Sequence, residues 1–242
     1  MLTSYTGAAI VLKECLLKQL ATVSFVLFAT HANALALADI TSSEASNGLK
    51  EALIQGAGSA VSKLGVADGF FGNSEVKIPL PDTMKKAEKA MRMFGMAKQA
   101  DELVLKMNRA AETAVPEAKV LLIDSVKKMS VEDAKAVLTG GKDAATQYFK
   151  KTTSAPMAEK FLPIVKKATE NVQLAQQYNK FAEMGSKFGV VKKEQANLEQ
   201  YVTQKTLDGV YLMMAKEEAA IRKDPLGQSS GLLKKVFSAL GE

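Results

Sequence analysis

The chain is short of the side chains that most often carry out chemistry. Its 242 residues include one cysteine, Cys15, one histidine, His31, and no tryptophan, and aromatic residues amount to 6%. Both Cys15 and His31 fall in a stretch with the form of a secretory signal. Lys13 and Lys18 precede an apolar run, Leu20 to Ala29, and the small residues of "THANALALAD" follow it. A basic segment, a short apolar core and an A-x-A site mark a cleaved leader. The expected cut falls after Ala34, Ala36 or Ala38, which makes residues 1–36 the signal and 37–242 one domain. The alternative is an uncleaved anchor: Leu20 to Ala38 nears spanning length, but His31 and Asn33 interrupt it. Cys15 lies before the apolar core, so it is not the cysteine of a lipoprotein signal.

Loss of the leader would remove the only thiol and the only imidazole. That excludes disulfides and Cys-His or Ser-His-Asp catalysis. It also removes the usual ligands of zinc and of carboxylate-histidine di-iron sites. A cysteine-free chain suits export to an oxidising compartment. No cofactor and no metal are expected. The formal net charge is +6, and it becomes +5 once Lys13, Lys18 and Glu14 are removed with the leader. Lysines are dispersed rather than clustered. Such an excess permits weak contact with an anionic membrane surface and does not call for nucleic acid.

Helical patterns dominate what is present. Leu49 to Leu64 reads as a helix, with Ser46 and Asn47 as cap candidates and Gly65 as its stop. "VADGFFGNSEVKIPLP" (66–81) is a long non-helical loop, its "EVKIPL" extended. Pro81-Asp82 opens a helix to Phe94, stopped by Gly95. Met96, Ala100, Leu103, Met107, Ala110 and Ala114 repeat at steps of three and four, one face of a helix that Pro116 breaks. A further helix runs to about Met129, and Ser130 with Asp133 resembles a capped start. After the Gly140-Gly141 corner, Ala144 to Thr152 is expected to be helical, and Pro163 to kink or restart the next segment. Gln173 to Phe188, about Leu198 to Arg222 in one or two helices, and Leu232 to Leu240 complete the pattern. Alternating strands and fixed-period repeats are absent. The expected fold is all-α, one bundle-like domain of about eight to ten helices with a long loop near 66–81.

Five local patterns invite a chemical reading. Gly141-Lys142 in "LTGGKDAATQYF" suggests a phosphate loop, but Asp143 stands where Ser or Thr is needed and a helix precedes it. A helix corner, with Asp143 capping the next helix, fits better than an anion site. Ser125 to Lys128 matches S-x-x-K without its companion motifs. "DGFFGNSE" offers oxygens for calcium but lacks EF-hand spacing; its Phe70 and Phe71 either anchor the loop or contact a ligand or partner. Asn108 and Glu112 lie one turn apart, opposite the apolar stripe and near Arg109, as on a solvated face. In the last long helix, Glu218 falls amid Leu207, Tyr211, Met214 and Ile221. A carboxylate there needs a partner, and Arg222 is placed to be one.

The blocks "GLKEAL", "DGFFGN" with "VKIPLP", "MNRAAE", "DAATQYF", "FLPIVKKAT", "YVTQKTLDGVYLMMAKEEAAIR" and "LLKKVF" occur in that order. Together they resemble the bacterial exported family called domain of unknown function 4197, over about residues 39–237. The resemblance implies a helical, exported protein, chiefly of Gram-negative bacteria. It implies no activity, cofactor or catalytic residue. It places Asn108, Arg109, Glu112, Thr146, Tyr148, Tyr201, Glu218 and Arg222 in family motifs, as ligand contacts or as polar core contacts that fix helix packing.

Two functions remain open. One is a non-catalytic periplasmic module binding an apolar or amphiphilic ligand, or an envelope protein, motivated by the Phe70-Phe71 loop, the abundant methionine and the basic balance, although the methionines at helical positions read first as core. The other is a carboxylate-dependent hydrolase of cell-envelope glycan or lipid, with Glu112 and Glu218 as its acids. Lack of imidazole and thiol favours binding.

Overall fold

The computed structural model describes residues 42–95, 97–187 and 197–224. The expected leader, the expected helix at 232–240 and most of 184–197 lie outside the described residues. Helices α1 (Ser42–Leu64), α2 (Lys85–Met93), α3 (Ala97–Ala114), α4 (Ala118–Lys127), α5 (Val131–Thr139), α6 (Ala144–Thr169), α7 (Gln173–Lys187) and α8 (Leu198–Lys223) follow in chain order. Short 3-10 turns at Asp82–Met84 and Val115–Glu117 lead into α2 and α4. The fold is all-α, and no strand occurs among the described residues.

Helix α6 is the centre, packed against α8, α3, α4 and α5, while α1 covers α8, α4 and α5. Its buried positions Phe149, Thr153, Met157, Phe161, Val165 and Thr169 recur every four residues. A step of four overshoots one helical turn by about 40°. The buried stripe therefore winds around α6 and meets a different neighbour at each end. Helix α3 buries the expected face, with Ala100, Leu103, Met107, Ala110 and Ala114 fully enclosed. One continuous apolar core runs from Leu49 to Met214.

Several boundaries differ from expectation. Ser46 and Asn47 do not cap α1 but lie inside it, because the helix starts at Ser42 and Ser46 is buried. Pro163 does not restart a helix: α6 runs through both Pro156 and Pro163. The carbonyls that lose a partner belong to Thr152 and Glu159, four residues earlier, and both residues face solvent. Water can serve them there, so the missing bonds cost little. The segment 198–223 is likewise one helix. With these pieces joined, the upper part of the expected eight to ten helices is not reached among the described residues.

The loop at 65–81 is part of the core rather than an overhang. Phe70, Val76, Ile78 and Leu80 are all buried. The ring of Phe70 lies on the backbone of α8 at Gly209, where an added Cβ would sit 2.7 Å from the ring's Cε1 and 3.4 Å from Val76 Cβ. Glycine is required there for contact, not for backbone conformation.

Replacing Gly209 by alanine would gain about 1 kcal/mol in helix propensity, yet the fully enclosed ring has nowhere to move. We expect Gly209→Ala to destabilise the protein by about 2 kcal/mol in urea unfolding. In a Phe70→Ala background the same change should become neutral or stabilising. A loss of equal size in both backgrounds would refute the contact.

Candidate functional site

The polar residues of the family motifs gather at two places, and at each they hold backbone rather than face a cleft. The first is where α3 meets the 65–81 loop. Asp68 adopts a left-handed conformation, φ 66°, one that Asp tolerates better than most residues, and the following residues turn inward. Glu112 Oε1 accepts hydrogen bonds from the backbone N–H groups of Phe70 and Phe71, each at 3.0 Å. Its Oε2 accepts from Arg109 Nη1 at 2.7 Å, and Arg109 Nη2 reaches Asp68 Oδ1 at 2.8 Å. Asn108 accepts from the N–H of Ile78 at 2.8 Å and donates to that residue's carbonyl at 2.9 Å. Tyr201, from α8, donates to the carbonyl of Pro79 at 3.1 Å.

This corrects the expectation of a solvated face. Asn108 is 0% and Glu112 5% exposed. Helical spacing put them opposite the apolar stripe, but the loop folds over that side and makes a second buried face. Phe70 is buried, and Phe71 is half-buried with Lys77 Nζ 4.0 Å above its ring. The pair anchors the loop. The oxygens offered for calcium are engaged within the protein: Asp68 by Arg109, Asn73 by the N–H of Glu75, and Glu75 by Lys216.

The second place is the corner between α5 and α6, the "LTGGKDAATQYF" stretch. It is a helix corner, as expected, but Asp143 does not cap α6; its side chain accepts instead from Gln147. The cap comes from α8. Glu218 Oε1 accepts from the N–H of Ala145 at 3.0 Å, and Oε2 from the N–H and hydroxyl of Thr146, both at 2.9 Å. A helix N-terminus attracts an anion, and the protein supplies its own. Arg222 pairs with Glu218 at 3.0 Å, as its spacing suggested, and donates to the carbonyl of Val137 near the end of α5. The ion pair thus ties both helix ends to α8. Gly140 is needed at this corner, since a Cβ would lie 2.5 Å from the carbonyl of Ala136. An apolar cavity of about 40 Å³, lined in part by Leu53, Phe149, Met214 and Ile221, adjoins the pair.

A third buried carboxylate, Glu199, escaped the sequence reading. Asn179 of α7 donates to both its oxygens at 3.0 and 2.9 Å, and accepts from the N–H of Leu198 at 2.8 Å. The signal was available: Glu199 shares the stripe of Val202, Thr206 and Val210, as Glu218 shares a stripe further on. Tyr148 donates to the carbonyl of Ser125 at 2.9 Å. The Ser125 hydroxyl meets Thr152 Oγ1 at 2.6 Å, and that hydroxyl in turn donates to the carbonyl of Tyr148. Ser125 therefore donates to a neutral oxygen and has no base to activate it. Both line a groove of about 450 Å³ between α4 and α6, with Lys128 and Lys151. A second groove, about 300 Å³, runs between the loop and α8 past Tyr201. Among the described residues no group of acidic, His or Cys side chains could hold a metal ion, and no helix is long and apolar enough to cross a membrane.

Removing Glu218 would leave two amides without an acceptor and Arg222 without its counter-charge in a buried corner. We expect Glu218→Ala to cost about 3 kcal/mol of unfolding free energy, and Asp143→Ala almost nothing; equal effects would contradict the cap in trans. Alkaline pH probes the loop clamp. Burial first, then the charges of Asp82 and Asp208, push the Tyr201 hydroxyl up to about 12. A pKa raised above its unfolded value near 10 means the folded state keeps a proton the unfolded state loses. That contribution is whole below pH ~10 and disappears as pH climbs through ~12. Tyr201→Phe should lower stability by about 1 kcal/mol at neutral pH, and its deficit should shrink between pH ~10 and ~12. A constant deficit across that window would refute the assignment.

A family described as "Protein of unknown function (DUF4197)" has a model that matches residues 39–238. No curated protein and no solved structure matches. The ordered motif blocks and the residues they place at the two buried corners fall within the matched span, and the chain belongs to the DUF4197 family.

Proposed function

We propose that this protein is an exported, non-catalytic helical module that works through its outer surface, docking an amphiphilic partner in the periplasm. The observation that carries the reading is the engagement of its buried carboxylates. Glu112, Glu199 and Glu218 each bond through both oxygens to groups of the same fold. General acid-base work needs a carboxyl that reaches a substrate proton, and a glycan hydrolase needs two across one cleft. Glu112 and Glu218 close different corners and share no partner.

The pockets support a surface role over an internal ligand: the two larger ones, about 450 and 300 Å³, are grooves open to the outside, and the one beside Glu218 is small. At about 40 Å³ this apolar cavity is too small for such a ligand, since small-molecule sites run to roughly 300–1,000 Å³. Export rests on the leader pattern at 13–38, and the modest positive charge suits an anionic envelope surface. The alternative, a carboxylate-dependent hydrolase of envelope glycan or lipid, would require Glu112 or Glu218 to leave its amides.

Native mass spectrometry of gently purified protein from the envelope fraction tests the reading. We expect a chain shortened at Ala34, Ala36 or Ala38 and carrying no stoichiometric small ligand. An enclosed lipid retained one-to-one would overturn the surface reading. Turnover of murein or phospholipid, lost in Glu218→Gln without loss of fold, would establish the hydrolase instead.

A further inference from the structure

The sulfur atoms of this chain divide sharply by access. The one thiol, Cys15, falls in the expected leader, so among the described residues every sulfur is a thioether. Six methionines are buried, at 8% exposure or less: Met84, Met107, Met129, Met157, Met213 and Met214. Met91 is half-buried and packs on the core. Met93, by contrast, is 77% exposed, and Phe94 beside it 82%. Both stand at the corner where α2 turns into α3, and Gly95 makes the turn with φ +76°. Arg92 ties the two helices there, reaching Glu88 of α2 at 2.9 Å and Asp101 of α3 at 2.6 Å. The corner is therefore held without help from the Met93 side chain.

We infer that Met93 is a reversible oxidation site: a peroxide reaches its thioether first, and a thiol-dependent reductase returns the sulfoxide without unfolding the protein. A sulfur lone pair attacks one oxygen of hydrogen peroxide. The S–O bond forms as the O–O bond breaks, and the departing hydroxide takes the remaining proton and leaves as water. Sulfur is oxidised by two electrons and the peroxide reduced by two. In the return step two reductase thiols close to a disulfide while the sulfoxide oxygen leaves as water. Selectivity follows access. A buried thioether meets the oxidant only through local opening, and a polar sulfoxide there would disrupt the packing, whereas at Met93 the product stays in water. One member of the exposed apolar pair thereby becomes polar, so the surface character of the corner follows its oxidation state. The inference needs only the exposure of this sulfur and is independent of the surface-docking reading.

Limited treatment of the full chain with hydrogen peroxide, followed by peptide mass mapping, tests the site. A Met96→Leu background leaves Met93 as the one methionine between Arg92 and Lys98. We expect Met93 to gain oxygen ahead of Met91 and about tenfold or more faster than the six buried methionines, at an unchanged melting temperature. In unfolding urea the rates should converge. Reductases for both sulfoxide epimers, with a dithiol donor, should restore the parent mass of the folded protein. Oxidation should shorten retention on a phenyl matrix, reduction should restore it, and Met93→Leu should leave retention indifferent to peroxide. A buried methionine oxidised as fast as Met93 in the folded protein overturns the inference. So does a Met93 that stays reduced, or a sulfoxide reducible only after unfolding. None of these outcomes touches the buried carboxylates or an enclosed ligand, so the surface reading stands or falls on its own test.

Discussion

Buried peptide groups must find partners, and the rest of this fold depends on how two non-helical stretches meet that demand. A helix satisfies its own interior amides; a loop drawn into the core does not. Residues 68–80 and the α5–α6 corner both carry backbone N–H groups into apolar surroundings. An unmatched one would cost on the order of 1–3 kcal/mol. Glu112, Asn108 and Tyr201 close the first stretch, and Glu218 with Arg222 closes the second. Charged acceptors suit the task because a carboxylate can take several N–H bonds at once, and those bonds are stronger than neutral ones.

This explains why the motif residues sit where they do without a cleft to serve. Glu218 stands 73 positions after the amide of Ala145 that it receives, so one ion pair, Glu218 with Arg222, fixes the docking of α8, α6 and α5 together. Glu112 similarly joins α3 to the start of the long loop, which then lays Phe70 against Gly209 of α8. The two corners meet on α8, which the first fastens to α3 through the loop and the second to α6 and α5. Chemistry-bearing residues become joints, and the surface away from them, including the α2–α3 corner, is left to meet the outside.

Much of the helical plan was legible. Steps of three and four marked α3, glycine and proline marked the ends of α1, α2 and α3, and the Ser130–Asp133 pair announced α5 through a capping box that is present. Glu218 announced itself by standing amid apolar neighbours, and its Arg222 partner by spacing. The solvated face assigned to Asn108 and Glu112 failed because periodicity describes one helix and its nearest cover, whereas here a loop thirty to forty residues upstream supplies a second cover. Pro163 does not break its helix because the cost of a proline depends on whether the freed carbonyl can reach water, a property of tertiary exposure. Glu199 was overlooked although it obeyed the same rule as Glu218.

By itself the sequence determined the class of fold, the direction and extent of most helices, and membership in one family, since these follow from local periodicity, turn residues and ordered motifs. Only the tertiary structure decided which polar groups are buried and what they hold. Hydrogen-bond partners seventy or more residues apart leave no local trace. The cap that α6 lacks from Asp143 arrives from the far end of the chain, in Glu218, because only packing brings that carboxylate to the helix's open amides.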